Sequence, residues 1–173
     1  MSTPKKIEIM ETKKILLVDD DVDVITAVKA ILTKEGYKVI EAVNKTEGLE
    51  KLRNEKPDLA ILDVMMTTHF EGFELAQEIL ANPEFKEIPF LIQSSIDILV
   101  TTKASVQEMA REFRKDPNFK DLQVLLVRNI NEGSAGIDYK GEDGTTYWFP
   151  VRGFIRKPVE AAMLLEEIKK HIR

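Results

Sequence analysis

Polar residues whose side chains can bind metal ions or take part in reactions lie directly after four short apolar segments of the chain. The segments and the residues that follow them are Ile15–Val18 with Asp19, Asp20 and Asp21; Leu59–Leu62 with Asp63; Phe90–Gln93 with Ser94 and Ser95; and Gly153–Arg156 with Lys157. Carboxylates, a hydroxyl and an ammonium fit a divalent cation, a nucleophilic carboxylate and a transferred phosphoryl group. If the apolar segments are parallel strands, their carboxyl ends meet at one edge, and the four sites converge there.

The acidic cluster predicts a magnesium site. Asp19, Asp20 and Asp63 offer the oxygen ligands that Mg²⁺ takes alongside water and phosphate oxygens. Asp21 is better placed as the N-cap of a following helix. Taken alone, the three consecutive acids would favour a capped surface turn, but the other strand ends favour the site. Asp63 then has the character of a nucleophile, with Mg²⁺ and Lys157 supplying positive charge, because phosphoryl transfer depends on positioning and charge neutralisation.

Composition limits the class of protein. A chain of 173 residues fits one domain with or without an insertion, and 43% hydrophobic residues can form a sizeable core. The net charge of -5 argues against direct nucleic-acid binding through a basic surface. The absence of cysteine excludes disulfides and thiolate chemistry. Because neither a signal-peptide pattern nor a long apolar run is present, we expect a cytoplasmic protein without a membrane partner, and a flexible leader over residues 1–12.

Alternating strand and helix patterns predict the fold. From Lys14 to Gln93 the order is strand, helix, strand, helix, strand, helix, strand. This order is typical of a parallel sheet with helices on both faces, and the uniformly apolar strands agree with a sheet that is covered on both sides. Gly153–Arg156 adds a last strand, and Val159–Ile172 has the spacing of a final amphipathic helix. We therefore predict an α/β fold with a doubly wound parallel sheet.

Residues 98–151 form a predicted insertion before the last strand. It contains a charged helix at Lys103–Lys115, a strand near Leu122–Val127, and a hairpin whose arms are Ile137–Lys140 and Thr145–Phe149. The strand could join the main sheet, pair with another chain or pack outside the sheet. The segment Asp116–Val127 resembles Asn82–Gln93, and local duplication and chance similarity both remain open.

The aromatic cluster of the insertion has two possible roles. Tyr147, Trp148 and Phe149 could pack locally against the sheet, which is the more common use of such residues. Alternatively they could form a docking or dimerising surface, because aromatic residues are enriched at interfaces.

Five segments together resemble the receiver domain of response regulators, the phosphate-accepting part of two-component systems. They are Ile15–Asp21, Pro57–Met66, Glu71–Leu75, Ile88–Ile92 and Gly153–Pro158. The resemblance covers roughly residues 13–97 and 152–173. It implies a flavodoxin-like sheet of order 2-1-3-4-5, and hence a single receiver domain over residues 13–173 with the insertion at about 98–151.

The resemblance also implies roles for individual residues. These are Asp63 as phosphoacceptor; Asp19, Asp20, Asp63 and the backbone carbonyl of Met65 as Mg²⁺ ligands; Lys157 as the partner of the phosphoryl group; Ser94 and Phe154 as switch residues; and Pro158 after a cis peptide bond. The switch in this family is a shift between two packings, in which the hydroxyl moves toward the phosphate and the aromatic ring turns inward.

The chain departs from the family pattern in three places. Thr67–Phe70 replaces the usual short Pro-Gly turn, the insertion separates Ser94 from Lys157, and the chain ends with the last receiver helix. The sequence thus predicts a stand-alone phosphoprotein that takes its phosphoryl group from a histidine kinase or phosphotransfer protein. It would signal through contacts with a downstream protein and catalyse at most its own phosphorylation and dephosphorylation.

Alternatives to this prediction differ in class. A pseudo-receiver would act as a phosphorylation-independent interaction module, and the insertion keeps this alternative open. A phosphatase of the haloacid-dehalogenase kind requires an acid two residues after the nucleophile, where Met65 stands instead. A homodimer formed through the insertion or the last helix is also compatible with the sequence.

Overall fold

The computed structural model describes residues 11–64 and 71–172. Within these ranges the elements are, in chain order, β1 (Lys14–Val18), α1 (Val22–Lys34), β2 (Lys38–Ala42), α2 (Lys45–Glu55), β3 (Leu59–Asp63), α3 (Glu71–Ala81), β4 (Phe90–Ser94), β5 (Ile98–Thr101), α4 (Val106–Lys115), β6 (Val124–Asn129), β7 (Ala135–Lys140), β8 (Thr146–Val151), β9 (Gly153–Arg156) and α5 (Ala161–Lys169). The predicted leader lies almost wholly outside the described ranges, and the single-domain organisation stays a prediction.

The larger sheet confirms the predicted strand order. Among the described residues it has five strands in the order β2-β1-β3-β4-β9, and the neighbouring pairs are parallel. Because β9 follows the insertion, it takes the fifth place of the 2-1-3-4-5 order. The carboxyl ends of these parallel strands therefore share one edge of the sheet.

Both faces of the larger sheet are covered. One face packs on α1 and α5 through residues that include Ile15, Leu17, Ile61, Leu91, Ile155, Leu32 and Leu164. The opposite face packs on α2, α3 and the insertion through residues that include Leu16, Leu62, Ile92, Phe154, Leu52, Phe73 and Leu126. Alternation of side chains along each strand explains why neighbouring residues belong to different clusters.

The insertion forms a second sheet of four strands in the order β5-β6-β7-β8. β5 is parallel to β6, whereas β6, β7 and β8 are antiparallel. Val124 and Leu126 face the larger sheet, and Leu125 and Val127 pack on α4 at Ala110. The smaller sheet therefore lies between the larger sheet and α4, and it helps to cover one face of the larger sheet.

Helix α4 is attached to the smaller sheet by a buried ion pair. Arg114 Nη2 lies 2.8 Å from Asp138 Oδ1, and the two side chains are 11% and 8% exposed. The same guanidinium donates hydrogen bonds to the carbonyls of Phe119 and Leu122. One buried cation thus links the helix, the loop after it and β7.

The structure corrects the predicted boundaries within the insertion. The helix was predicted at Lys103–Lys115 but begins at Val106, because Ser105 caps it by accepting from the amide of Glu108 at 3.2 Å. Strand β5 was not predicted, since it has four residues and is only partly buried. The strand predicted near Leu122–Val127 pairs within the chain as β6, outside the larger sheet, and the predicted hairpin is present as β7 and β8.

Candidate functional site

The carboxyl edge of the larger sheet brings the predicted acids together. Asp19 follows β1, and Asp63 is the last residue of β3. Val18 pairs with Leu62 and Asp63 pairs with Gln93, so the register aligns Asp19, Asp63 and Gln93 in one row across three strands. Because side chains alternate along a strand, these three residues lie on the face of the sheet that α1 and α5 cover.

Lys157 reaches into this row from β9. Its Nζ lies 3.0 Å from Asp19 Oδ2 and 3.4 Å from Asp63 Oδ2. The lysine side chain is 21% exposed, whereas those of Asp19 and Asp63 are 0% and 5% exposed. Burial acts to lower the pKa of Lys157, but its hydrogen bond to Asp19 and the charge of Asp63 outweigh burial and raise that pKa. The pocket therefore contains a charged ammonium between two buried carboxylates.

The three acids are close enough to share a metal ion. Asp19, Asp20 and Asp63 each place a carboxylate oxygen within 4.8 Å of the others, and Asp20 is exposed. Carboxylates at this separation repel one another unless a cation is present, and oxygen ligands are those that Mg²⁺ prefers. The donor set thus fits the cation implied for the family. Met65, predicted to add a backbone carbonyl, lies outside the described residues.

Asp21 has a structural role. Its Oδ1 accepts hydrogen bonds from the amides of Asp23 at 2.9 Å and Val24 at 3.4 Å. This is the N-cap of α1, as the sequence predicted. Its own amide donates to Asp19 Oδ1 at 2.9 Å, which helps to orient the buried carboxylate.

Ser94 and Phe154, the predicted switch residues, are both buried. The Ser94 hydroxyl accepts from the amide of Ile96 at 3.0 Å, and the Ser94 carbonyl accepts from the amide of Lys157 at 2.9 Å. Phe154 is 7% exposed and belongs to the cluster that includes the smaller sheet. The Lys157–Pro158 peptide bond is cis, as the resemblance implied. The switch roles stay predictions.

Gln93 is a site residue that the sequence reasoning missed. It is fully buried, and its Nε2 donates to Asp19 Oδ2 at 3.2 Å. The sequence does contain a signal, because a large amide follows the apolar residues Phe90–Ile92 and directly precedes Ser94. The residue that accepts the hydrogen bond from this amide could only be identified from the pairing of the strands.

Comparison with known sequences identifies the family. Residues 15–125 match the model of the response regulator receiver domain, which is more than half of the chain. A stretch of 67 residues is 42% identical to the alkaline phosphatase synthesis transcriptional regulatory protein PhoP of Bacillus subtilis, and covers 39% of this chain and 28% of that protein. Protein PilH of Pseudomonas aeruginosa is 33% identical over 79 residues, which cover 46% of this chain and 64% of PilH. The chain thus spans less than two thirds of these curated relatives.

Known structures share the fold of this chain. The chemotaxis response regulator CheY4 of Vibrio cholerae superposes with a TM-score of 0.59 at 21% identity, covering 94% of this chain and 100% of CheY4. A CheY-like receiver domain protein from Methanospirillum hungatei gives a TM-score of 0.55 at 27% identity, covering 92% and 93% of the two chains. Every helix within residues 11–64 and 71–172 is too short or too polar to span a lipid bilayer. Since the family match and the sheet order lead to the same conclusion, the chain belongs to the receiver domain family of response regulators.

Proposed function

We propose that this receiver accepts a phosphoryl group on Asp63 from the phosphohistidine of a kinase or phosphotransfer protein, with Mg²⁺ held by Asp19, Asp20 and Asp63. Membership of the family is consistent with two-component signalling and implies a partner of this kind. The observation that carries the proposal is the 3.4 Å distance between Lys157 Nζ and Asp63 Oδ2. It brings a residue that follows the insertion and a residue that precedes it into one pocket.

In the proposed reaction a carboxylate oxygen of Asp63 attacks the phosphorus. The phosphorus–nitrogen bond of the donor breaks, and the imidazole leaves with the electron pair of that bond. An aspartyl phosphate remains on Asp63. Bound Mg²⁺ would neutralise charge on the phosphoryl oxygens. An ammonium has three donors. Among the described residues, Asp19 and Asp63 engage two of those of Lys157, which leaves one for a phosphoryl oxygen.

The response to phosphorylation is proposed to pass through Ser94 and Phe154. The backbone hydrogen bond between Lys157 and Ser94 joins β4 to β9 directly beside the pocket. Phe154 lies on β9 and packs in the cluster shared by both sheets. A new charge on Asp63 would change how the side chains around Ser94 and Phe154 pack. Because residues of the smaller sheet belong to the same cluster as Phe154, they would be affected by that change.

Signalling is proposed to occur through protein contacts. A groove of about 520 Å³ lies between β5 and α5, and its walls include Val100 and Met163. These side chains are 51% and 63% exposed, and exposed apolar residues that line one groove are suited to contact with another protein. A downstream protein or a second copy of the chain could cover them. The cytoplasmic location predicted from the sequence stays a prediction.

Intact-protein mass spectrometry after treatment with acetyl phosphate tests the proposal. The wild type should gain the mass of one phosphate with Mg²⁺ present and much less after chelation with EDTA. Asp63→Asn should gain none, because an amide cannot form the acyl phosphate. Asp97→Asn, an exposed acid near the end of β4 that pairs with Arg156 at 2.6 Å, is the control and should be labelled like the wild type.

Two results would contradict this assignment. Labelling of Asp63→Asn at the wild-type level would place the acceptor elsewhere. A wild type that is never labelled, by acetyl phosphate or by a phosphohistidine donor, would support the pseudo-receiver instead. That alternative is not favoured at present, because the acids and Lys157 are together in one pocket.

A further inference from the structure

Gln93 has a hydrogen-bonding requirement that the described residues do not meet. The side chain is 0% exposed, and its Nε2 donates to Asp19 Oδ2. No described residue donates a hydrogen bond to its Oε1, which is buried. A buried acceptor without a partner costs free energy, and such atoms in native proteins usually have an additional partner such as water or an ion.

Asp19 determines the orientation of the Gln93 amide. A carboxylate oxygen only accepts hydrogen bonds, so the amide group that faces it must be the NH₂. Turning the amide over would bring two acceptors together and would leave the NH₂ without this partner. Within the described part of the chain, the unpaired atom of Gln93 is therefore its oxygen, and the missing partner is a donor or a cation.

The surroundings of Gln93 favour a cation. Asp63 is the cross-strand neighbour of Gln93 in the β3–β4 register, and Asp19 contacts its amide. Both acids belong to the cluster of three carboxylates that could hold a metal ion. Amide and carboxylate oxygens are ligands of the same hard class, and a metal-bound water donates strong hydrogen bonds to either.

We propose that Gln93 is part of the divalent-cation site, with Oε1 contacting the ion or one of its bound waters. The Nε2 group would at the same time keep Asp19 oriented within the pocket. This inference rests on the magnesium site of the proposed function and adds a fourth side chain to it. Its consequence is that Mg²⁺ binding supplies the partner that Oε1 does not find among residues 11–64 and 71–172, so the loss of this oxygen should weaken Mg²⁺ binding.

Replacements of Gln93 by methionine and by glutamate together test the role of the oxygen. Gln93→Met keeps the length of the side chain and removes both polar groups. The dissociation constant for Mg²⁺ would be measured by titration calorimetry and by the Mg²⁺-dependent rise in unfolding free energy. We expect the constant to rise about tenfold in Gln93→Met, which corresponds to about 1.4 kcal/mol. Gln93→Glu retains an oxygen and adds a negative charge that attracts the ion, so it should bind Mg²⁺ at least as tightly as the wild type although its carboxylate can no longer donate to Asp19.

Asn129→Leu is the matched control. Asn129 is also a fully buried amide, but it lies on β6 and its groups are paired. Its Nδ2 donates to the carbonyl of Lys103, and its Oδ1 accepts from the amides of Asn131 and Glu132. Its replacement should lower stability equally with and without Mg²⁺, because the residue lies outside the acidic pocket.

The outcomes separate this inference from the proposed function. Wild-type Mg²⁺ affinity in Gln93→Met, or equal weakening in the Met and Glu variants, would overturn the role of Gln93 and leave phosphorylation of Asp63 unaffected. A wild type that does not respond to Mg²⁺ at all would overturn the magnesium site and this inference together. If Gln93→Met does not fold, Gln93→Glu decides: weaker Mg²⁺ binding than in the wild type would refute the inference.

Discussion

Replacing Lys157 tests the charge balance of the pocket. Lys157→Met retains most of the aliphatic side chain and removes the ammonium. Asp19 and Asp63 would then remain buried, with side chains 0% and 5% exposed, and without the cation that lies between them. Loss of one partner from a buried ion pair costs about 3–5 kcal/mol. Because Lys157 is 21% exposed, we expect a loss near the lower end of that range.

Lys45 provides a control with similar exposure. Its side chain is 24% exposed and contacts Glu78 at 2.7 Å and Glu74 at 3.2 Å. The two acids are 45% and 50% exposed, so water can solvate them after the lysine is removed. Exposed ion pairs contribute only about 0–1 kcal/mol. Lys45→Met should therefore cost less than about 1 kcal/mol.

Urea unfolding followed by circular dichroism, at pH 7 in EDTA, measures both losses. Mg²⁺ should restore more stability to Lys157→Met than to the wild type, because the ion replaces the missing positive charge. Since the pKa of Lys157 is raised, its stabilisation is complete below the ordinary lysine pKa of about 10.4 and is lost as pH rises through the folded-state pKa. The gap between wild type and variant should therefore narrow at strongly alkaline pH. Equal losses in Lys157→Met and Lys45→Met at pH 7 would refute this reasoning.

Two further substitutions test how the elements are positioned. Gly72→Ala would place a Cβ 2.6 Å from the Val64 carbonyl oxygen, so the backbone after β3 must shift, and we expect a lower Tm and slower labelling by acetyl phosphate. Gly48→Ala is the control, because the atom nearest to a Cβ at Gly48 belongs to the side chain of Leu75, at 3.1 Å. An effect of Gly72→Ala no larger than that of Gly48→Ala would contradict this prediction. Arg114→Met removes the buried partner of Asp138 and should cost about 3 kcal/mol in urea unfolding followed by Trp148 fluorescence. Lys115→Met, whose pair with Glu112 is exposed, should leave stability almost unchanged, and similar losses in both variants would argue against the buried pair.

Local patterns were sufficient to predict much of the larger sheet. Buried parallel strands are apolar on both faces, so the runs before Asp19 and Asp63 could be recognised without knowledge of their neighbours. The N-cap role of Asp21 was also predictable, because its hydrogen bonds go to amides two and three residues away. Interactions of such short range can be predicted from the neighbouring residues in the sequence alone.

Other features depend on residues far apart in the sequence. β5 was missed because a four-residue, partly exposed strand carries little pattern of its own, and it is stabilised by pairing with β6. The contact of Gln93 with Asp19 depends on the register of neighbouring strands, for which no local pattern exists. The family match ends at residue 125, within β6, so it does not include Lys157.

The sequence by itself predicted the five strands of the larger sheet and the acids that follow two of them, because burial and turn chemistry act locally, but it left open whether the inserted strand near Leu122–Val127 joins this sheet. Only the tertiary structure decided that the inserted residues build a separate sheet against one face. It also decided that Lys157 reaches Asp63, since β4 and β9 pair directly although the whole insertion separates them along the chain. The pocket depends on this pairing, which many weak contacts across both sheets stabilise together.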